Sequence, residues 1–211
     1  MDGQTGEREI EAVVFDLGGV LIDWDPRYVF RTMLPDDEAV EEFLATVCTP
    51  AWNARHDAGL PFADGVAELS ARHPDQAELI QAYADRWADM LAGPIDGTVG
   101  ILEELHAAGT RLFALTNWSA ETFPVARARF PFLRRFEGIV VSGEERAIKP
   151  QPGVYRILLE RYGLDPGTCL FVDDAEANLR TATALGFVAV KFTTPVGLRD
   201  RLVAMGLLTA R

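Results

Sequence analysis

The sequence contains few cysteines, few lysines and no long apolar run. Its 211 residues include two cysteines, Cys48 and Cys169, which lie far apart, so we expect reduced core thiols and no disulfide framework. No stretch approaches the ~18 consecutive apolar residues that a membrane-spanning helix needs. Residues 1–7 show no basic region followed by an apolar one. We therefore expect no signal peptide, no membrane partner and a cytoplasmic location.

Positive charge is also scarce. Lysine and arginine together number 20 against 32 acidic residues, which gives a net charge of -12. A field of that sign repels phosphate backbones, so we expect no nucleic-acid partner, and any anionic ligand must be held by a local positive site. The hydrophobic content of 48% and the charged content of 25% are ordinary globular values and argue against disorder.

A short apolar run near the start of the chain ends in a carboxylate. Ala12 to Phe15 have the pattern of a strand buried on both faces, Asp16 follows, and Gly18-Gly19 permit a tight turn and close approach of the backbone to a ligand. Ligands of α/β sheets bind at the carboxyl ends of central strands, so Asp16 is a candidate site residue. From this stretch alone, a solvated aspartate in a strand-to-loop turn is an equal alternative.

The segment from about Ile22 to Gly93 differs from the rest of the chain. Its apolar residues recur at spacings of three and four, which predicts helices, and Pro35-Asp36-Asp37 and Pro74-Asp75 are typical helix starts. It carries 14 acids against five arginines, a net charge of -9 within a chain of net charge -12. We predict an inserted helical unit, with flexible joints near residues 21–26 and 92–95.

Strands and helices alternate outside this segment. Apolar runs predict strands at 111–116, 138–142, 169–173 and 188–192. Amphipathic patterns that end in glycine predict helices at 101–107, 155–162 and 178–185. This alternation predicts an α/β fold, a Rossmann-like and mostly parallel five-stranded sheet with helices on both faces.

Polar residues follow four of the predicted strands, namely Asp16, Thr116-Asn117, Lys149 and Asp173-Asp174. Because parallel strands end at one edge of a sheet, we expect these side chains to converge. Lys149 is one of two lysines in a chain with 18 arginines, which favours a specific role as a compact charge. Taken singly, Thr116 is also typical of a turn. Asp173-Asp174 alone would suit a helix N-terminus, where acids gain about 0.3–1 kcal/mol each.

With these motifs in this order, the chain resembles the haloacid dehalogenase-like hydrolase superfamily, in the group whose helical cap is inserted after the first motif. The four motifs match at Asp16, Thr116, Lys149-Pro150 and Asp173-Asp174. The resemblance implies a hydrolase core (residues 1–21 and 95–211) and a helical-bundle cap (residues 22–94). It further implies a monomer or homodimer that hydrolyses a small phosphorylated metabolite with Mg²⁺ through an aspartyl-phosphate.

The resemblance also implies roles for the motif residues. Asp16 is the nucleophile that becomes phosphorylated, and Thr116 with the neighbouring amide of Asn117 holds the transferring phosphoryl group. Asp173 orients Lys149 or a metal-bound water.

The same resemblance implies a metal site. Asp16, Asp174 and the backbone carbonyl of Gly18 would hold Mg²⁺, for which hard oxygen ligands are suited. Asn178, one helical turn after Asp174, would brace the Asp174 side chain. Three carboxylates and one lysine give a net negative pocket, so we expect strict dependence on the metal.

One position departs from the family pattern. Most phosphatases of the family carry a second aspartate two residues after the nucleophile as general acid and base, and here that position is Gly18. General acid–base catalysis contributes typically about 10²–10⁴ in rate. Asp23, Asp25 or His56 could take over this role, or the substrate has a good leaving group such as a sugar 1-phosphate.

Aromatic and polar residues of the cap and nearby loops are candidate substrate contacts. They are Trp24, Arg55, His56 and Trp118, with Arg55 a candidate partner for a substrate anion. The alternative is that Trp52 packs in the cap core while Arg55 and His56 are solvated.

Two other functions remain compatible with Gly18. A metal-independent 2-haloacid dehalogenase needs no general acid because halide leaves without a proton, although dehalogenases lack the paired acids of the fourth motif. A non-catalytic phosphate-binding relative is the other possibility.

Overall fold

In the computed structural model, which describes residues 9–210, the five predicted strands form one parallel sheet. In chain order the strands are β1 (Ala12–Phe15), β2 (Ile22–Trp24), β3 (Leu91–Pro94), β4 (Arg111–Thr116), β5 (Gly138–Val141), β6 (Cys169–Asp173) and β7 (Val188–Lys191). The large sheet has the order β5-β4-β1-β6-β7, and every neighbouring pair is parallel. The predicted Rossmann-like α/β fold is confirmed. The expectation about a signal peptide concerns residues 1–7, which lie outside the described range.

Strand β1 lies at the centre of the sheet because its side chains are apolar on both faces. Val13 and Phe15 pack into one apolar cluster, and Ala12 and Val14 pack into the other. All four residues are buried. This alternation with a period of two places Asp16 at the end of a fully covered central strand.

Helices cover both faces of the sheet. After β3 they are α6 (Asp96–Ala107), α7 (Phe123–Arg129), α8 (Ser142–Glu145), α9 (Pro152–Tyr162), α10 (Glu176–Ala184) and α11 (Pro195–Ala204). Helices α6 and α11 bury residues in the cluster that contains Phe15, whereas α9 and α10 bury theirs in the cluster that contains Val14. Helix α6 begins five residues before the predicted start, since its glycines do not stop the helix once packing favours it.

The segment between β2 and β3 is helical, as its apolar spacing predicts. Its helices are α1 (Arg27–Phe30), α2 (Asp37–Thr46), α3 (Pro50–Asp57), α4 (Phe62–Arg72) and α5 (Ala77–Asp85), followed by a 3-10 turn (Trp87–Met90). Asp36 caps α2 by accepting a hydrogen bond from the Ala39 amide, and Thr49 caps α3 by accepting one from the Trp52 amide. The predicted start at Pro74-Asp75 is a separate 3-10 turn ahead of α5.

Strands β2 and β3 form a small antiparallel ribbon that the sequence did not indicate. The ribbon lies where the chain enters and leaves the helical segment, so both predicted joints fall on paired backbone. The division into a core and a cap stays a prediction, as do the joints; "cap" below denotes residues 22–94.

Two expectations from composition have counterparts in the structure. Cys48 and Cys169 are both free and buried. Among residues 9–210, no helix combines the length and apolarity required to cross a membrane.

Candidate active site

The polar motif residues meet at the carboxyl edge of the sheet. In the register of the sheet, Phe15 lies between Ala114 of β4 and Val172 of β6. The next residue, Asp16, therefore reaches the edge beside the ends of both neighbouring strands. Because all strands run in parallel, residues more than 150 positions apart in sequence share this edge.

Lys149 is buried at the centre of this group. Its side chain lies between two carboxylates, with Nζ at 2.9 Å from Asp16 Oδ1 and at 2.7 Å from Asp173 Oδ2, and the residue is 2% exposed. Burial lowers the pKa of Lys149, but the two carboxylates raise it by more, and the net shift is upward. The ammonium group therefore stays charged.

Asn117 fixes the backbone of Lys149. Its Nδ2 donates to the Lys149 carbonyl at 2.9 Å, and its Oδ1 accepts from the Lys149 amide at 2.8 Å. The side chain of Asn117 thus acts as a clamp on the loop that carries the lysine.

Asp173 is fully buried and engaged through both oxygens. Oδ1 accepts hydrogen bonds from the Ala175 amide and Asn178 Nδ2, and Oδ2 accepts from Lys149 Nζ and, at 3.1 Å, from Asn178 Nδ2. This corrects the expectation that Asn178 braces Asp174, because its amide is turned toward the buried carboxylate. Asp173 is placed to orient Lys149.

Asp16 presents one oxygen to the protein and one to the site. Its Oδ1 accepts from the Leu17 amide at 2.7 Å and from Lys149, whereas Oδ2 receives no hydrogen bond from the described part of the chain. Burial raises the pKa of Asp16, and the ammonium of Lys149 opposes that rise. The residue is 9% exposed and its side chain is 12% exposed.

Three carboxylates could share a cation here. Oxygen atoms of Asp16, Asp173 and Asp174 lie within 4.8 Å of one another. Since Asp173 is saturated with hydrogen bonds, Asp16 and Asp174 have the oxygens to spare. Gly19 has φ +74, and a Cβ added there would lie 3.0 Å from Asp174 Oδ2. The glycine therefore lets the first loop pass close to this carboxylate.

Thr116 and the neighbouring loop complete the polar edge. Thr116 is 1% exposed, and its Oγ1 has no hydrogen-bond partner within residues 9–210. A buried hydroxyl without a partner costs free energy. It is therefore suited to bond a ligand that enters the site.

A cavity of about 70 Å³ lies between this edge and the cap. Its lining consists of one glycine and six aromatic or polar residues, namely Gly18, Trp24, Asn53, Asp57, Trp87, Asn117 and Trp118. The indole Nε1 atoms of Trp24 and Trp118 are buried and lack a partner in the described chain. Trp24 and Trp118 therefore line this cavity, and their contact with a substrate stays a prediction.

Asn53, Asp57 and Trp87 were not predicted to lie at the site. Asn53 and Asp57 lie four residues apart on α3, and that spacing placed them on one helix face. The family resemblance implies that the segment 52–59 faces the pocket, but it did not single out these residues.

Two other predicted contacts lie elsewhere. Arg55 is exposed and pairs with Glu68 at 2.7 Å, and it does not line the cavity. His56 is completely buried in the cap, stacked on Phe62 with ring centroids 4.1 Å apart and edge-on to Trp52. Both assignments are corrected, because a charged pair on the surface and a stacked core ring do not reach the cavity.

The proposed replacements for the missing acid are also engaged elsewhere. Asp23 accepts from the Tyr28 hydroxyl at 2.9 Å, and Asp25 accepts from the Arg27 amide at 2.9 Å and pairs with the Arg27 guanidinium. Neither lines the cavity. His56 cannot serve because its ring is buried in the cap.

The fold and site together define a Rossmann-like α/β protein with an aspartate, a lysine and an acid pair at the carboxyl edge of its sheet. The chain belongs to the haloacid dehalogenase-like hydrolases, whose family model matches residues 10–186.

Relatives and solved structures agree with this assignment. Hexitol phosphatase A of Escherichia coli is 30% identical over 86% of this chain and 82% of its own length. A HAD family enzyme of Bacteroides thetaiotaomicron, bt-2542, shares the fold with a TM-score of 0.68 at 22% identity, over 89% of this chain and 95% of that one. L-2-haloacid dehalogenase of Xanthobacter autotrophicus shares it with a TM-score of 0.63 at 19% identity, over 95% and 85% of the two chains.

Proposed function

We propose that the protein hydrolyses small phosphate monoesters, sugar phosphates among them, with Mg²⁺ and through an aspartyl-phosphate on Asp16. The observation that carries the proposal is the buried Lys149 held between Asp16 and Asp173, with Asp174 close enough to share a cation. The similarity to a hexitol phosphatase supports a phosphorylated substrate.

The residues of the site suit phosphoryl transfer. Oδ2 of Asp16 is the oxygen left to attack phosphorus, while Oδ1 stays bonded to Lys149 and the Leu17 amide. The free hydroxyl of Thr116 donates to an oxygen of the phosphoryl group, and the charge of Lys149 offsets the negative charge that gathers there. The P–O bond to the leaving group breaks as the bond to Asp16 forms, and water then releases phosphate and restores the carboxylate.

The donor set fits a magnesium ion. Asp16 and Asp174, with the Gly18 carbonyl, would hold it, and all three are hard oxygen ligands. Three carboxylates and one ammonium leave two negative charges, which a divalent cation balances. Bound there, the ion would neutralise charge on the phosphoryl group. The Bacteroides enzyme with this fold has been solved with magnesium and inorganic phosphate, which supports the choice of metal.

The substrate's leaving group is small and carries hydrogen-bond acceptors. The cavity of about 70 Å³ is walled by three indole rings, and two of them point an unpaired N–H into buried space. Such rings stack against the apolar faces of sugars or polyols and donate to their oxygens. The acidic cap also disfavours a polyanionic substrate.

The test is phosphate release from a panel of sugar phosphates, polyol phosphates and aryl phosphates, in Mg²⁺ and in EDTA. We expect release in Mg²⁺ and none in EDTA. Full activity in EDTA would overturn the metal requirement. Halide release from 2-haloacids without Mg²⁺, with no phosphate from any ester, would instead favour the dehalogenase chemistry of the Xanthobacter neighbour.

A further inference from the structure

The position of the missing general acid is open space. A Cβ added to Gly18 would meet no atom of residues 9–210 within 4 Å, and the φ angle of Gly18 lies outside the positive range that favours glycine. Packing therefore does not require glycine there. Gly18 lines the cavity between the core and the cap, so the site lacks an acid from the first loop but has room for one.

An acid from the cap lines the same cavity. Asp57, the last residue of α3, is the one acid among the residues that line it. The residue is partly buried, and its backbone lies against the core. Its carbonyl accepts a hydrogen bond from Ser142 Oγ at 2.6 Å, where β5 ends.

The carboxylate of Asp57 is held in a defined orientation. Asn53 Nδ2 donates to Asp57 Oδ2 at 3.0 Å, and Asn53 Oδ1 accepts from the buried Tyr83 hydroxyl at 3.0 Å. The Tyr83 contact fixes which end of the amide faces Asp57. The Ser119 amide, from the loop after β4, lies near enough to this carboxylate to favour its charged form and so lower its pKa. The cap and the core therefore position it together.

We propose that Asp57 is the general acid and base of the reaction, supplied by the cap in place of the aspartate that Gly18 lacks. This inference rests on the proposed function. In the first step the ester P–O bond breaks, the P–O bond to Asp16 forms, and the Asp57 proton moves to the leaving oxygen to give an alcohol. In the second step Asp57 accepts a proton from the attacking water, the water oxygen bonds to phosphorus as the bond between phosphorus and Asp16 breaks, and phosphate leaves.

The surroundings of Asp57 support both roles. Partial burial and the charge on Asp16 raise the pKa of Asp57 to about 7, against opposing contributions from the Ser119 amide and Lys149. A carboxyl group with a pKa near neutrality can both donate and accept a proton at working pH.

The first test compares leaving groups in Asp57→Asn. An alkyl phosphate needs a proton on its leaving oxygen, whereas 4-nitrophenyl phosphate does not. We expect kcat/KM for the alkyl ester to fall by about 10²–10⁴ and that for the aryl ester to change far less. Because the variant also lacks the base, the aryl ester should give a burst of nitrophenol and an accumulated phosphoenzyme. Asp64→Asn, an exposed acid on α4, is the matched control and should behave as wild type.

The second test is rescue from the other side of the cavity. In the double variant Gly18→Asp with Asp57→Asn, the new carboxylate fills the open space at position 18 and should restore alkyl-ester turnover at least tenfold over Asp57→Asn alone. Equal losses on alkyl and aryl esters, or no loss on either, would overturn the inference. Wild-type protein that releases no phosphate from any ester would instead defeat the proposed function itself, so the two failures are distinguishable.

Discussion

One ammonium group, that of Lys149, joins two carboxylates of the candidate site. Lys149 reaches Asp16 and Asp173 at 2.9 and 2.7 Å while it is almost entirely buried. A point charge with tetrahedral donors fits between two nearby oxygens, whereas a planar guanidinium is larger and binds side-on. The other lysine, Lys191, is exposed and lies 3.5 Å from Glu176.

Lys149→Arg should therefore lower kcat by about 10²–10³, the usual cost of losing a preorganised electrostatic group. Lys191→Arg makes the same chemical change at the surface and should leave turnover within about twofold. Steady-state kinetics and a thermal unfolding curve for each variant check this. A folded Lys149→Arg protein with wild-type turnover would show that the position needs only a positive charge.

The site residues at strand ends could be predicted from the sequence, whereas Asp57, which lies on a helix, could not. Asp16, Thr116 and Asp173 converge because parallel strands bring their ends to one edge, which a sequence pattern reveals. Asp57 looks like any acid on a polar helix face until α3 is placed over the core. His56 was misassigned for the same reason, because a histidine on a helix gives no sign of which side faces the interior.

Among the elements of the cap, α3 and α4 pack together through one close contact. A Cβ added at Gly65 of α4 would lie 2.2 Å from His56 Cε1 on α3, so the glycine allows the imidazole to lie against the helix backbone. Gly100, in the middle of α6, would gain a Cβ with no atom within 4 Å. A substitution at Gly65 therefore tests packing, whereas a substitution at Gly100 tests helix propensity.

Gly65→Ala should destabilise the protein by about 1–3 kcal/mol through overpacking. Gly100→Ala should be neutral or stabilise it by up to about 1 kcal/mol, since alanine is the better helix former. Denaturant unfolding of both variants measures the difference. A stable Gly65→Ala protein would mean that His56 does not rest on α4 as described.

His56 should also make stability depend on pH. Burial lowers its pKa, with a smaller contribution from Arg55 in the same direction, while the Leu60 carbonyl and Glu121 oppose the shift. As pH falls through about 6.5, His56 takes up a proton in the unfolded chain before it does so in the folded protein. The free energy of unfolding therefore decreases from about pH 6.5 down to the lower pKa that His56 has in the folded protein.

The free energy of unfolding at pH 8, 6.5 and 5 tests this dependence. His56→Gln should lose less stability between pH 8 and 5 than wild type does, and His106→Gln, at an exposed position, should match wild type. Identical pH slopes for all three proteins would exclude a buried neutral His56.

The large-sheet strands were predictable because each is a compact apolar run. The β2/β3 ribbon was not, since Ile22–Trp24 and Leu91–Pro94 are short, and the second ends in Gly-Pro, which is typical of a turn. The pairing also joins residues about 70 positions apart, so no local turn signal marks it. Helix α11 was missed because its apolar spacing is weak.

At the scale of the whole molecule, residues of the cap contact the loops at the sheet edge. Hydrogen bonds cross the boundary from Ser142 Oγ to the Asp57 carbonyl and from the Phe62 amide to Glu121 Oε2. The cavity of about 70 Å³ between the cap and the sheet edge has room for a few waters. We predict that the cap moves to admit substrate, and because the chain has a negative net charge, only the local site can attract the proposed phosphate ester.

The most direct test of the central claim, phosphoryl transfer to Asp16, is to trap the intermediate. Wild-type protein mixed with 4-nitrophenyl phosphate and Mg²⁺ is quenched, reduced with borohydride, and digested with trypsin, and the peptide spanning Glu9 to Arg27 is sequenced by mass spectrometry. Reduction of an aspartyl-phosphate leaves homoserine, and we predict it at position 16 and not at Asp23 or Asp25. Phosphate release with an unmodified Asp16, or with the label on another residue, would contradict the account.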